Sequence, residues 1–190
     1  ALLAAFAVCS LLPRWREQRR SMLVYALPAL PGATLFIAAV LGGQAPPIHD
    51  ITTDTQDPPR FEKAPQLRGD ASNPLTIDRD VIDQQIAAYP DLETIDSPRS
   101  FASSYNLALV TARELGWEVT REAPNAGFIE AVDTTAIMQF KDDIVIRVRS
   151  NADGSLVDLR SVSRVGLSDL GTNAERIRTF RRAFLDAARG

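Results

Sequence analysis

The stretch IVIRVRSNADGSLVDLRSVSR, residues 144–164, predicts a β-hairpin. Apolar side chains alternate with polar ones in both halves, which is typical of strands with one covered face. Between the halves, residues 151–154 are of types that tolerate positive φ and form the turn. One face of the predicted sheet is therefore apolar, as expected for an antiparallel sheet covered by helices on one side. The other face carries the arginines Arg147, Arg149, Arg160 and Arg164.

Two helices flank the strands in the sequence. Ser97, followed by proline, reads as the N-cap of the first helix, and Gly116 as the residue just past its end. Thr172 and Glu175 form a capping box for the second helix, whose arginines, Arg176 among them, we expect in solvent. The order helix, four strands, helix predicts an α+β domain over residues 98–190. We predict a two-layer sandwich of an antiparallel four-stranded sheet with both helices on one face.

The first 43 residues have a different character. Residues 21–43 carry no charged side chain, and at about 1.5 Å of rise per residue they are long enough for a hydrocarbon core of about 30 Å. We predict a transmembrane helix there, and a truncated one over residues 1–12. The loop at residues 13–20 carries four arginines, which predicts a cytoplasmic loop by the positive-inside rule. The domain after it is then on the non-cytoplasmic side, which in a bacterium with two membranes is the periplasmic side of the inner (cytoplasmic) membrane.

Between these parts, residues 44–97 are predicted to form an extended arm. Eight of the twelve prolines lie between residues 46 and 98, and each restricts the preceding residue to extended conformations. The arm also contains more isoleucine, leucine and phenylalanine than a disordered tether. We therefore expect it to pack on a surface, either that of its own domain or that of a partner.

Composition excludes several classes of function. Only one of the 24 acidic residues but four of the 21 basic ones precede residue 44, so the rest of the chain is net acidic. An acidic domain lacks the basic surface that nucleic-acid binding requires, and no nucleic-acid partner is predicted. The single cysteine, Cys9, and the single histidine, His49, exclude paired cysteine ligands and sites with two imidazoles. No cofactor or metal ion is predicted.

Two groups of residues are candidates for an interaction site. His49 beside Asp50, with Asp54 and Asp57, matches a general base oriented by a carboxylate, although no activated nucleophile accompanies it. Capping of turns is the alternative interpretation. The arginine face suits an anionic headgroup or an acidic patch of a partner, and a solvated face with interleaved acids is its alternative. The candidate residues are His49, Asp50, Thr52, Thr53, Asp54, Phe61, Arg147, Arg149, Arg160 and Arg164.

Five blocks of the sequence carry a family resemblance. They read PPIHDITTD (46–54), GFIEA (127–131), FKDDIVIRVR (140–149), DLRSVSRVG (158–166) and DLGTNAERI (169–177). Together they resemble the bacterial domain-of-unknown-function family 1499 over about residues 46–188. The resemblance implies a membrane-tethered bacterial protein on the non-cytoplasmic side. It implies no activity, cofactor or catalytic residue, because the family has none to carry over.

The expected function is that of a membrane-anchored accessory or interaction subunit. Its periplasmic domain is expected to dock on an integral membrane protein complex, beside the lipid bilayer. No enzyme is predicted, because no catalytic constellation is recognisable. The alternative is a periplasmic module that binds a lipid or another small apolar ligand between helices and sheet, and an uncharacterised enzyme comes third.

Overall fold

The computed structural model describes residues 32, 45–136 and 138–189. The chain divides into two units, Ala1–Gln44 and Ala45–Gly190. The described part of the second unit contains six strands and four helices in the order β1 (Asp50–Thr52), α1 (Ala64–Leu67), α2 (Arg79–Ala88), β2 (Ile95–Ser97), α3 (Phe101–Glu114), β3 (Glu118–Ala123), β4 (Phe128–Thr134), β5 (Lys141–Ser150), β6 (Ser155–Ser163) and α4 (Thr172–Arg189).

The six strands form one antiparallel sheet in the order β1-β6-β5-β4-β3, with β2 also paired to β6. Strand β1 pairs with residues 160–162 of β6 and β2 with residues 155–157. The two short strands therefore lie end to end along the same edge. Both come from the segment predicted to be an extended arm, so that segment packs on its own domain and completes the sheet.

Helices α3 and α4 cover one face of the sheet. The core between them contains the apolar residues of β5 and β6, and Trp117 stacks on Phe180, which stacks on Phe184, with ring centroids 5.5 and 5.9 Å apart. Helix α3 begins three residues later than predicted, because Ser97 ends β2 and the hydroxyl of Ser100 accepts the helix-capping hydrogen bond instead.

The predicted fold class is wrong. The sheet has six strands rather than four, because β1 and β2, with three residues each, are too short to show a periodicity. Two further helices, α1 and α2, also lie in the proline-rich segment. None of the helices described is both long and apolar enough to cross a membrane. The predicted membrane segments at 1–12 and 21–43 and the loop at 13–20 lie outside the described residues, residue 32 excepted.

Both edges of the sheet are protected against pairing with another strand. The side-chain amide of Gln85, in α2, accepts a hydrogen bond from the backbone N–H of Thr52 at 2.9 Å and donates one to its carbonyl at 2.6 Å. The opposite edge strand, β3, has a bulge between Val119 and Arg121 and carries charged residues. Short, irregular and charged edges disfavour edge-to-edge association.

Candidate functional site

The second face of the sheet is a charged layer that is mostly buried, although the side chains of Asp57 and Arg149 are 66% and 39% exposed. Residues 53–77 lie over it, so Arg160 is only 3% exposed and Asp158 is completely buried. Ion pairs across the layer involve five arginines (Arg68, Arg147, Arg149, Arg160 and Arg164) and five aspartates (Asp50, Asp54, Asp57, Asp143 and Asp158). We call these ten residues the charged layer. It divides into three clusters.

The first cluster joins the loop after β1 to the hairpin β5–β6. Arg147 lies 2.9 Å from Asp54, 2.8 Å from Asp57 and 3.2 Å from Asp158. Arg149 lies 3.0 Å from Asp54 and 2.7 Å from Asp158. Both arginines pair with Asp158 on β6 and with Asp54, so they bridge the sheet to the covering loop.

Asp54 is held in its charged form by this geometry. Burial acts to raise the pKa of its carboxyl, but hydrogen bonds from the backbone N–H groups of Asp57 and Gln56, together with Arg147 and Arg149, bring that pKa below its ordinary value. Asp54 therefore stays ionised to a lower pH than an ordinary aspartate.

The second cluster surrounds Arg160. Its Nε and Nη2 donate to the two carboxylate oxygens of Asp50 at 2.9 and 2.7 Å, a bidentate pair. Its remaining hydrogen bonds go to the carbonyls of Pro59, at 3.3 Å, and Leu75, at 2.7 Å, and its guanidinium lies 5.4 Å from the ring centre of Phe61. One side chain thus holds three separate parts of the arm.

In the third cluster two arginines share one carboxylate. Asp143 accepts a hydrogen bond from Arg68 at 2.9 Å and two from Arg164 at 3.0 and 2.7 Å. Arg68 also donates to the carbonyl of Asn73, and Arg164 to that of Leu67. Burial lowers the pKa of Arg68 from its ordinary value, against the attraction of Asp143.

Glu130 is a further buried carboxylate on this face, and it was not predicted from the sequence. It accepts hydrogen bonds from the backbone N–H groups of Glu62, Lys63 and Ala64, each at 2.9 Å, at the start of α1. Arg121 lies 3.8 Å away. The signal in the sequence for a buried carboxylate was a glutamate between apolar residues in the middle of a strand. The inward face of β4 could not be assigned, however, because both alternating sets of its residues mix apolar and polar side chains.

The remaining candidate residues have structural partners. The carbonyl of His49 accepts hydrogen bonds from Ser163 and Asn173, whereas its imidazole forms none among the described residues. The hydroxyl of Thr52 donates to the carbonyls of Asp54 and Leu159. The hydroxyl of Thr53 accepts the N–H of Leu159. The structure therefore does not join His49 to either carboxylate of the predicted general-base pair, since Asp50 and Asp54 bind arginines.

A second polar network lies on the helix-covered face. Arg176, predicted to lie in solvent, is 7% exposed and donates to Asp133 at 2.8 Å, to Asp142 at 2.6 Å and to Ser161 at 3.1 Å. It also donates to the side chain of Asn173, which is fully buried. Asn173, Arg176, Phe180 and Phe184 share one helical stripe, and this spacing is the signal in the sequence that indicates a buried arginine.

A cleft of about 830 Å³ opens beside the charged layer, between residues 56–61 and 65–77. Its lining is mixed: Phe61, Leu75 and Ile77 are apolar, whereas Arg60 and Asp70 are charged. Within residues 45–136 and 138–189, no group of three or more histidine, cysteine, aspartate or glutamate side chains is placed to hold a metal ion.

Comparison with known proteins gives a family. The protein-family model described as "Protein of unknown function (DUF1499)" matches residues 50–184. No curated protein matches the chain significantly. Eleven chains of solved structures match. Among them, the crystal structure of Ara h 8.0201 has 11% identity, with 50% of this chain and 95% of that chain covered, and a TM-score of 0.26. A TM-score of that size supports no conclusion about fold or function.

Proposed function

The chain belongs to the DUF1499 family, and from that premise we propose that its domain is a non-catalytic interaction module. In this proposal it is an accessory subunit that docks on an integral membrane protein complex. We place it at a bacterial inner membrane, with the domain on the periplasmic side. That location is supported by the charge pattern of residues 13–43, which lie outside the described residues except for residue 32.

One observation carries the proposal: the charged side chains that were candidates for catalysis or anion binding form ion pairs and hydrogen bonds with the arm. Each of the four arginines predicted to face a ligand has a carboxylate of the same chain within 2.8 Å. A phosphate or an acidic patch would have to displace these carboxylates, and each displaced carboxylate would then lose a partner. In this proposal the arginine face therefore supports the domain internally.

Paired charges of this kind favour a fixed arrangement of the arm. A buried ion pair adds little net stability compared with apolar residues of the same volume, but separating its members leaves an uncompensated charge. The arm is thus expected to stay in one position, which gives the domain a preformed surface. Preformed surfaces bind partners without an ordering cost.

The test is purification of the full chain from native bacterial membranes in mild detergent, followed by size-exclusion chromatography and mass spectrometry of crosslinked samples. We expect elution with an integral membrane protein in a fixed ratio. Asp50→Leu, which leaves Arg160 without its carboxylate, should weaken this association, whereas His49→Ala should leave it intact. Elution of the chain alone, with no crosslinks to a membrane protein, would contradict the proposal.

A second candidate function is binding of a small, partly apolar ligand, and the 830 Å³ cleft is the observation that favours it. Clefts of about 300–1,000 Å³ suit ligands of drug size. The cleft lies within the arm, beside Arg160, whereas the sequence predicted a site between helices and sheet. Native mass spectrometry of the purified chain would detect a retained ligand, and Leu75→Trp should displace it. A spectrum with no adduct would argue against this function.

A further inference from the structure

Exposed apolar side chains are concentrated at one end of the domain. Of the eight large apolar residues exposed in the described part of the chain, only Ile86 and Val110 lie elsewhere, on α2 and α3. The other six are Leu67, Met138, Phe140, Val165, Leu167 and Leu170. We call this set the apolar end.

These six residues share an end because of the sheet topology. Strand β5 begins and β6 ends there, and the backbone N–H of Arg164 donates to the carbonyl of Lys141 at 3.1 Å. The turn before β5 and the loop after β6 are therefore neighbours. Arg164 also donates from its side chain to the carbonyl of Leu67 at 3.1 Å, which places the end of α1 beside them.

The two loops present almost no charge. Residues 135–140 and 165–168 contain no charged side chain. Asp169 follows the second loop, and its carboxylate accepts the N–H groups of Gly171 and Asn173, both at 2.8 Å. Leu167 is 85% exposed. Lys141, next to the loops, is exposed and basic.

The described domain also begins at this end. The N–H of Asp169 donates to the carbonyl of Ile48 at 3.2 Å, and the hydroxyl of Ser168 donates to that of Pro46 at 3.4 Å. Residues 45–48 thus lie against the loop that carries Leu167 and Leu170. In the sequence they come directly after residues 21–44, which carry no charge.

We propose that the apolar end inserts its exposed side chains into a lipid surface, at the boundary between headgroups and acyl chains. A lipid surface suits these side chains better than a protein partner, because they lie on separate segments of the chain and beside the residues that follow the uncharged stretch 21–44. Insertion removes apolar area from water, and an adjacent lysine favours anionic headgroups. The proposal rests on the membrane location in the proposed function, but not on any protein partner.

The test uses the full chain with Cys9→Ser and one new cysteine carrying an environment-sensitive fluorophore. The labels are placed by Leu167→Cys and Phe140→Cys, and by Val110→Cys as the matched control, an exposed apolar site away from the apolar end. Each variant is reconstituted in vesicles of phosphatidylcholine and phosphatidylglycerol with a spin-labelled lipid as quencher. Circular dichroism confirms that each variant is folded.

We expect the spin-labelled lipid to quench the labels at residues 140 and 167 several-fold more than the label at residue 110. Equal quenching at all three positions would overturn the proposal. Shielding of the first two labels from aqueous iodide, without quenching by lipid, would also overturn it, because the occupant would then be a protein or a second copy. That last result would leave the proposed docking function standing, whereas lipid quenching without a co-purifying partner would contradict only the docking function.

Discussion

Removing the carboxylate of Asp50 should destabilise the domain far more than removing an exposed charge. Asp50 and Arg160 are each 3% exposed and form a bidentate pair. In Asp50→Leu the guanidinium keeps only two carbonyl partners. Breaking a buried pair from one side costs about 3–5 kcal/mol, a large part of the roughly 5–15 kcal/mol that stabilises an ordinary domain.

The double variant shows how much of the destabilisation comes from the unpaired charge of Arg160. Asp50→Leu with Arg160→Met leaves no orphan charge, although the carbonyls of Pro59 and Leu75 lose a donor. We expect the double variant to be more stable than Asp50→Leu alone, since replacing both members of a buried pair by apolar residues is often neutral or stabilising.

The matched control is the pair of Arg79 and Asp83, whose side chains are 69% and 60% exposed. Asp83→Leu should cost less than about 1 kcal/mol, because exposed pairs contribute little. The assay is urea unfolding of the full chain carrying Trp15→Phe in mild detergent, monitored by the fluorescence of Trp117, which is then its single tryptophan. If Asp50→Leu cost no more than Asp83→Leu, or the double variant were the least stable of all, the structural role assigned to the charged layer would be refuted.

Three further predictions concern single positions. The pKa of Asp54 is lowered in the folded state, so its charge stabilises the fold above the unfolded pKa of about 3.9, and this stability is lost as pH falls through the folded value. Acid titration of Asp54→Asn should therefore show a smaller loss of stability than acid titration of the unchanged chain. An unchanged profile would contradict this. Gly127 has φ +75° and an added Cβ would collide with the carbonyl oxygen of Val148, whereas Gly116, with φ +81°, has open space. Thermal melts should therefore show a much larger loss of stability for Gly127→Ala than for Gly116→Ala. Equal losses of stability would refute the collision. Glu130→Gln should lower the free energy of unfolding in urea by about 1–3 kcal/mol, because the amide nitrogen of glutamine cannot accept hydrogen bonds from the N–H groups at the start of α1. An unchanged free energy of unfolding would show that those hydrogen bonds contribute little.

The sequence predicted the parts of the fold that alternation or spacing reveals. The hairpin at 144–164 is confirmed: β5 and β6 pair in register, and residues 151–154 form the turn. Its alternation identified the apolar and the arginine faces. Alternation says only which side chains share a face, however, and not what covers that face.

Local sequence patterns could not predict which segment covers the arginine face. The arm forms pairs such as Asp50 with Arg160, which are 110 residues apart in the sequence. Proline-rich sequence gives no periodicity from which to predict a three-residue strand, so β1 and β2 were missed. Arg176 was assigned to solvent by residue type, although its helical position lies on the buried stripe with Phe180.

The central claim is that the arm belongs to the folded domain and covers the arginine face. Hydrogen–deuterium exchange of the full chain, read at the backbone N–H groups of residues 62–64, tests it most directly. These groups donate to the buried carboxylate of Glu130, so their exchange should be slowed to a degree approaching that of β5 and β6. Exchange at the rate of an open chain would show that the arm leaves the sheet and would contradict the claim.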